Sequence, residues 1–204
     1  SFLWYFCKMK ILIVAATTKE INENNLIDYD VLITGVGMVN TVFSLTKYLH
    51  NHTPDIIINV GVAGAYNLDY NIGDVVEVSK DCFSEIGAQS GADFLDVNVI
   101  GLDIETDFCF KSKTPLPQAK GITVNTIHGE KISIDNIKKR LNPDVESMEG
   151  AACMMVCNNL GFEFFQIRAI SNYVEERSKE KWNISLAIKN LNLELNRILD
   201  AYEN

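Results

Sequence analysis

The chain has 204 residues, 47% of them hydrophobic and 22% charged, enough apolar side chain to exclude intrinsic disorder as the main state. Its formal net charge of −9 argues against nucleic acid and anionic membrane surfaces as partners, since both favour basic faces. A chain of this size buries on the order of 70% of its unfolded surface, so one substantial core is expected.

Residues 1–8 (SFLWYFCK) are aromatic and lack the basic start and cleavage site of a signal peptide. Met9 reads as the start, residues 1–8 as an extra segment and 9–204 as a single domain. Residues 10–16 (KILIVAA) and 31–34 (VLIT) read as buried strands. Gly35-Val36-Gly37 breaks the second, a helix follows over 39–50, and Pro54 ends it. Residues 55–60 (DIIINV) form another buried strand, ended by Gly61 and Gly64, and 73–79 (GDVVEVS) a further one. The stretch 85–120 reads as mostly loop. A short strand follows at 122–124, then a helix over 133–140. Ser147 opens a small-residue helix over 148–160 that Gly161 closes. Residues 164–170 read as a strand. In 182–202, Ile184, Ile188, Leu191, Leu195, Ile198 and Tyr202 recur at helical spacing, which predicts a long amphipathic helix packed on the sheet. Strands alternate with helices, so the expected class is α/β, three layers with a central mixed, mostly parallel twisted sheet flanked by helices.

No run of 18 apolar residues is present, which excludes a transmembrane helix. Five cysteines (7, 82, 109, 153, 157) with no CxxC pair suit a reduced, cytoplasmic protein. Cys153 and Cys157 could share a helix face, but small apolar core residues are the commoner reading than metal ligands. Gly35-Val36-Gly37 before a helix invites a dinucleotide-binding reading, yet Asn40 occupies the place of the third glycine and an extra strand precedes it. No metal or organic cofactor is expected.

In α/β folds, sites lie at the carboxyl ends of strands. Those ends carry Thr17-Thr18-Lys19-Glu20, Gly61-Val62-Ala63-Gly64, the group Glu146, Met148 and Glu149, and Ser171-Asn172. Each has an ordinary reading: Glu20 a solvated residue at a helix start, Glu149 an acid favoured by a helix dipole, Asn172 a turn former. Converging on one cleft, two carboxylates and an amide would suit chemistry in which a cation-like centre forms and water is activated.

Three stretches resemble the purine nucleoside phosphorylase/nucleosidase family, in its methylthioadenosine/adenosylhomocysteine nucleosidase-like branch. They are MKILIVAATTKE, PDIIINVGVAGAYNLDYNIGDVV, and DVESMEGAACMMVC followed by RAISNYVE. Within that family, DVESMEGAA, GITVNTIHG and the segment from RAISNYVE onward are most similar to the futalosine hydrolases. The likeness covers nearly everything from Met9 to the end.

The resemblance implies that Glu20 contacts the water nucleophile, that Glu149 and Met148 hold the ribose, and that Val62, Ala63 and Gly64 line the substrate site. It places Asn172 where adenine-specific members carry an aspartate facing N7 of the base. Asparagine offers a carbonyl acceptor and an NH2 donor but no ionisable proton, which suits a 6-oxopurine, so hypoxanthine is the expected leaving base. The same likeness brings Asn125 and His128 near the base or sugar, although a lone histidine is more often structural. Phe83 and Tyr173 are candidate wall residues. Lys111, Lys113 and Arg177 are candidates for an aryl carboxylate on the substrate's far end. Phosphorylases of the family bind phosphate through arginines near the first and third strand ends. This chain's arginines are 140, 168, 177 and 197, with none before 140, so hydrolysis is expected over phosphorolysis. The partners implied are a small nucleoside substrate and further copies of the chain, a dimer or larger homo-oligomer.

Overall fold

A computed structural model describes residues 9–176 and 182–203. The expectations for residues 1–8 and for Arg177 therefore lie outside the described residues.

The first half of the chain builds parallel strands from apolar runs. Strand β1 (Ile11–Ala15) pairs in parallel with β2 (Asp30–Ile33) on one side and β3 (Ile56–Ala65) on the other. Helix α1 (Met38–Leu49) connects β2 to β3; it ends at Leu49 with His50 as its cap, ahead of Pro54. Strand β3 runs ten residues, straight through Gly61 and Gly64, rather than stopping at Val60. Glycine does not end it because both edges are paired: β10 (Phe164–Tyr173) lies parallel along one side, and β9 (Val145–Ser147) takes over from β1 on the other, antiparallel at Gly64 and Ala65.

Strand β4 (Val75–Cys82) is antiparallel to β10 and parallel to β8 (Gln118–Thr123), which is in turn parallel to β9. The ladder β3–β10–β4–β8–β9 thus closes on itself, while β1 and β2 extend it as an open wing. Ala63, Ala65, Val76, Val78, Ala119, Val145 and Ile170 pack together among these strands. The sheet is mixed and mostly parallel, as expected.

The stretch read as loop over 85–120 holds a hairpin, β5 (Gly87–Ser90) with β6 (Asp93–Asp96), and β7 (Asp107–Cys109), which adds antiparallel to β4. Helix α2 (Lys131–Leu141) follows the 122–124 segment. Helix α3 (Gly150–Leu160) starts two residues later than expected, and Val145–Ser147, to which no element was assigned, is a short strand. Gly161 closes α3 at φ 73°, the left-handed cap expected there.

The layers follow the apolar patterns. Ala187, Leu191, Leu195, Ile198 and Leu199 of α4 (Ile184–Glu203) are buried against Ile13, Ile58 and Ile167 on one sheet face. On the other face α1 and α3 pack against Leu12, Ile57 and Phe164, with Cys153 and Cys157 fully buried there. Burial pushes the Cys153 thiol up to about 12 and raises that of Cys157 as well, which makes both poor ligands or nucleophiles at neutral pH. Among the described residues, no group of three or more His, Cys, Asp or Glu side chains is placed to hold a metal ion, and no helix is long and apolar enough to cross a membrane.

Candidate active site

Four strand ends meet at one cavity of about 270 Å³, near the lower end of the range for small-ligand sites. The first supplies Glu20. Beyond β1 the chain makes a short 3-10 turn, Thr18–Glu20, in which the side chain folds back onto its own start. Glu20 Oε2 accepts from Thr17 N at 2.9 Å and faces Thr17 Oγ1 at 3.4 Å. Oε1 reaches Val62 N at 3.4 Å. From α4, Asn192 Nδ2 donates to the Glu20 carbonyl at 3.0 Å, fixing the turn.

The second wall is the bare face of β3. A Cβ on Gly61 would stand 3.0 Å from Glu20 Oε1 and 3.4 Å from Arg168 Nη1, so the residue type is set by close approach of the acid and the guanidinium. Val62, Ala63 and Gly64 line the cavity, as expected.

The third wall is the step from β9 to α3, which carries Glu146, Ser147, Met148 and Glu149. Glu149 is the residue before the first helical turn, and its Oε1 accepts Gly37 N–H at 2.9 Å. The Gly35-Val36-Gly37 turn thus serves a carboxylate of the chain. Burial raises the Glu149 pKa and the nearby Glu20 charge adds to this; the Gly37 N–H, the Arg168 charge and the Met148 backbone oppose it. Two carboxylates thus share one cavity, and one of them, Glu149, is held partly towards its neutral form by burial.

The fourth wall is Ser171 and Asn172, inside β10 where its register with β3 shifts. Asn172 is buried. Its Oδ1 accepts from Ser171 Oγ at 2.8 Å and its Nδ2 donates to Tyr173 O at 3.0 Å, leaving one amide N–H uncommitted.

Three expected wall residues are elsewhere. Asn125 and Phe83 line a separate apolar groove of about 1080 Å³ beside Met38, Val42 and Phe43 of α1. Val124 faces the Glu20 cavity and the next residue, Asn125, faces the groove, as alternation along extended chain requires. Phe83 packs edge-on to Phe108. Tyr173 turns away from the cavity for the same reason, its hydroxyl donating to Tyr70 O at 2.9 Å. Lys113 is ion-paired with Glu163 and lines a distant cleft at the end of α4. Lys111 does not line the cavity either.

Other residues border the site to which the sequence reading gave no role. Lys19, exposed at the mouth, is the one cation among the described residues lining the cavity. Trp182, Ile184 and Ile188 close it from the start of α4, so the last two leave the sheet-packing face on which helical spacing had placed them. Arg168 is 1% exposed behind Gly61. A charge inside the apolar run FFQIRAI was its signal in the sequence. Its Nη2 donates to Asn59 Oδ1 and its Nη1 to Ile167 O at 3.2 Å. Buried Asp81, held by Gln166 and Thr123, lies within reach of the same charge; burial pushes its carboxyl up to about 6.

Residues 29–202 match the sequence profile of the Phosphorylase superfamily, and the chain belongs to that family. It is 27% identical over 175 residues to a futalosine hydrolase of Acidothermus cellulolyticus, covering 79% of this chain and 71% of that one. It is 28% identical over 163 residues to a 5'-methylthioadenosine/S-adenosylhomocysteine nucleosidase of Chromohalobacter salexigens, covering 72% and 68%. The structure superposes on a 5'-methylthioadenosine/S-adenosylhomocysteine nucleosidase of Colwellia psychrerythraea solved with adenine, with a TM-score of 0.79, 19% identity and coverage of 95% and 96%. That likeness bears on the fold alone.

Proposed function

We propose that the protein is a nucleosidase, an N-glycosyl hydrolase, and that its substrate is futalosine, cleaved to hypoxanthine and dehypoxanthine futalosine in menaquinone biosynthesis. The observation that carries this reading is the convergence of Glu20, Glu149 and Asn172, with Met148, on one cavity. Glu20 acts as general base: it takes a proton from water as the oxygen attacks the anomeric carbon. Glu149 accepts hydrogen bonds from the ribose hydroxyls, and its charge stabilises the oxocarbenium character that grows as the glycosidic bond breaks. The bonding electrons leave with the base, which departs as neutral hypoxanthine once protonated. Asn172 donates its free N–H to the base. The reaction consumes one water and calls for no metal or organic cofactor. The reading includes a cytoplasmic homo-oligomer; Val39 and Phe43, exposed along the apolar groove on α1, support a further copy as partner.

Similar identity to a methylthioadenosine/adenosylhomocysteine nucleosidase favours a second reading, in which adenine is released. Asn172 favours the first. Incubation with futalosine and with methylthioadenosine, followed by identification of the free base, separates them. Hypoxanthine release is expected; adenine release with no hypoxanthine refutes the assignment. Asn172→Asp should shift preference toward 6-aminopurine nucleosides.

A further inference from the structure

Glu149 is the residue before the first turn of α3, where a carboxylate ordinarily accepts the N–H of the second or third helical residue. It makes no such bond; its Oε1 takes the Gly37 N–H instead. The first-turn donors are met by other side chains. Ser147 Oγ accepts the Gly150 N–H at 3.3 Å, and Thr123 Oγ1, at the end of β8, accepts the Ala151 N–H at 2.7 Å. Thr123 and Ala151 are both fully buried, so bulk water cannot stand in for either. A hydroxyl has one proton to give, and Asp81 takes it. Thr123 Oγ1 donates to Asp81 Oδ1 at 2.9 Å, while Oδ2 accepts Gln166 Nε2 at 2.9 Å. An ionised carboxylate can only accept, so the lone pairs of the Thr123 hydroxyl are left for the helix. Gly150 makes room for this acid: a Cβ there would stand 2.1 Å from Asp81 Oδ2. Neither Asp81 nor Thr123 lines the cavity.

We propose that Thr123, oriented by Asp81, is a positioning residue for Glu149: it caps the Ala151 N–H in place of the Glu149 side chain and so leaves that carboxylate free to face the sugar. The inference rests on the nucleosidase reading above, in which Glu149 acts on the ribose. Without the hydroxyl, the Ala151 N–H is a buried donor with no partner, a costly state that draws in an acceptor within reach. The Glu149 side chain, two residues back, is the group that ordinarily fills this place. The acid would then turn onto its own helix and away from the substrate, and Gly37 would lose its partner as well.

The test is a double-mutant cycle on kcat/KM of the full chain, with whichever of futalosine and methylthioadenosine the wild type cleaves. Thr123→Val keeps the side chain's shape and removes the hydroxyl. It should lower kcat/KM by about ten-fold or more, as misplacing a group that acts on the reacting sugar does. In the Glu149→Gln background the same change should cost no more than about three-fold, because the charge it misplaces is already gone; such non-additivity marks two residues that act as one. Thr123→Ser retains the hydroxyl and should stay within about three-fold of wild type. Equal losses from Thr123→Val in the two backgrounds overturn the proposal, since a hydroxyl that only supports the fold would act alike in both. A loss of about ten-fold or more in folded Thr123→Ser also overturns it. Thr123→Ala takes the place of Thr123→Val should the valine variant not fold. Failure of both to fold beside an active Thr123→Ser overturns the proposal too, because the hydroxyl would then hold the helix rather than aim the acid. The two readings fail separately: equal losses beside wild-type base release sink this inference only, whereas a wild type that releases no base from either nucleoside sinks the nucleosidase reading beneath it.

Discussion

Glu149→Gln isolates the electrostatic part of the proposed chemistry. The amide keeps the side chain's shape and retains an oxygen to accept the Gly37 N–H, which Glu149 Oε1 now does at 2.9 Å. One negative charge is lost. Opposite unit charges 4 Å apart attract by about 4 kcal/mol at an effective dielectric of about 20, which corresponds to about a thousand-fold in rate if the attraction develops only in the transition state. Stability should respond with the opposite sign. Burial raises the Glu149 pKa above the ordinary glutamate value, so the folded protein binds this proton more readily than the unfolded chain. The acid's contribution to stability is greatest below the unfolded pKa and declines as pH rises through the folded one. At neutral pH the carboxylate is a folding cost, and Gln should leave the melting temperature unchanged or higher. The assay is initial-rate hypoxanthine release from futalosine beside thermal melting at pH 7. A loss in kcat/KM below about ten-fold with intact melting refutes the argument, as does a loss that parallels a fall in melting temperature. The wild-type acid limb of kcat/KM should also have its midpoint shifted upward from the ordinary glutamate value, because Glu149 is protonated earlier on descent in pH.

Glu20→Gln retains an oxygen for the Thr17 N–H and removes the proton acceptor; turnover should fall by 10²-fold or more while calorimetry still shows ligand binding, and a variant that turns over within ten-fold of wild type refutes the general-base role. Lys19→Glu reverses the one cation among the described residues lining the cavity. It should raise KM for the carboxylate-bearing futalosine several-fold and leave KM for inosine nearly unchanged; equal effects on both refute a charge-based contact. The His128 pKa is raised by its hydrogen bond to Glu146, with the Glu146 and Glu85 charges adding and burial and Arg140 opposing. That stabilisation is complete below the ordinary histidine value near 6.5 and is lost as pH rises through the higher folded value. Melting temperature should therefore fall across that window, and His128→Gln should flatten the fall; a parallel curve refutes it.

The sequence made the strands legible because buried parallel strands are continuous apolar runs. KILIVAA and DIIINV needed no further context. The errors cluster where hydrogen-bond pairing overrides local punctuation. Gly61 and Gly64 read as strand ends, yet β3 continues through them because β10 and β9 pair with its two edges. Val145–Ser147 read as the lead into a helix and is a strand, because its partners β3 and β8 arrive from 80 or more and 22 or more residues away in sequence, beyond any local window. Glu20, Glu149 and Asn172 were legible as strand-end polar groups, and Met148 only through the family resemblance. Asn125 and Tyr173 were misplaced by one step of side-chain alternation, which spacing alone does not phase. The places of Lys19, Arg168 and Glu146 around the cavity depend on which strand lies beside which, and that is a property of the closed ladder.

The same ladder bears on the choice between water and phosphate. A phosphate nucleophile brings one to two negative charges into a cavity already lined by Glu20, Glu146 and Glu149, and would need arginine or lysine donors there. Among the described residues no arginine lines the cavity, and its one lysine, Lys19, is exposed at the mouth. Arg140 is spent on Ser84 O and Asp96 and stacks on Phe94, and Arg197 pairs with Glu194 on α4. Arg168 is close, but it sits behind Gly61 with Nη2 and Nη1 committed to Asn59 and Ile167. From there its charge still opposes the rise in the Glu149 pKa. It thus offsets the mutual repulsion of two acids at one cavity without presenting a donor to an anion. Such a buried cation favours carboxylates that work on a neutral nucleophile. In the proposed reaction Glu20 deprotonates water beside Glu149 without a further anion entering the cavity, and the absence of arginine from the first 139 residues is the trace in the sequence of that electrostatic arrangement.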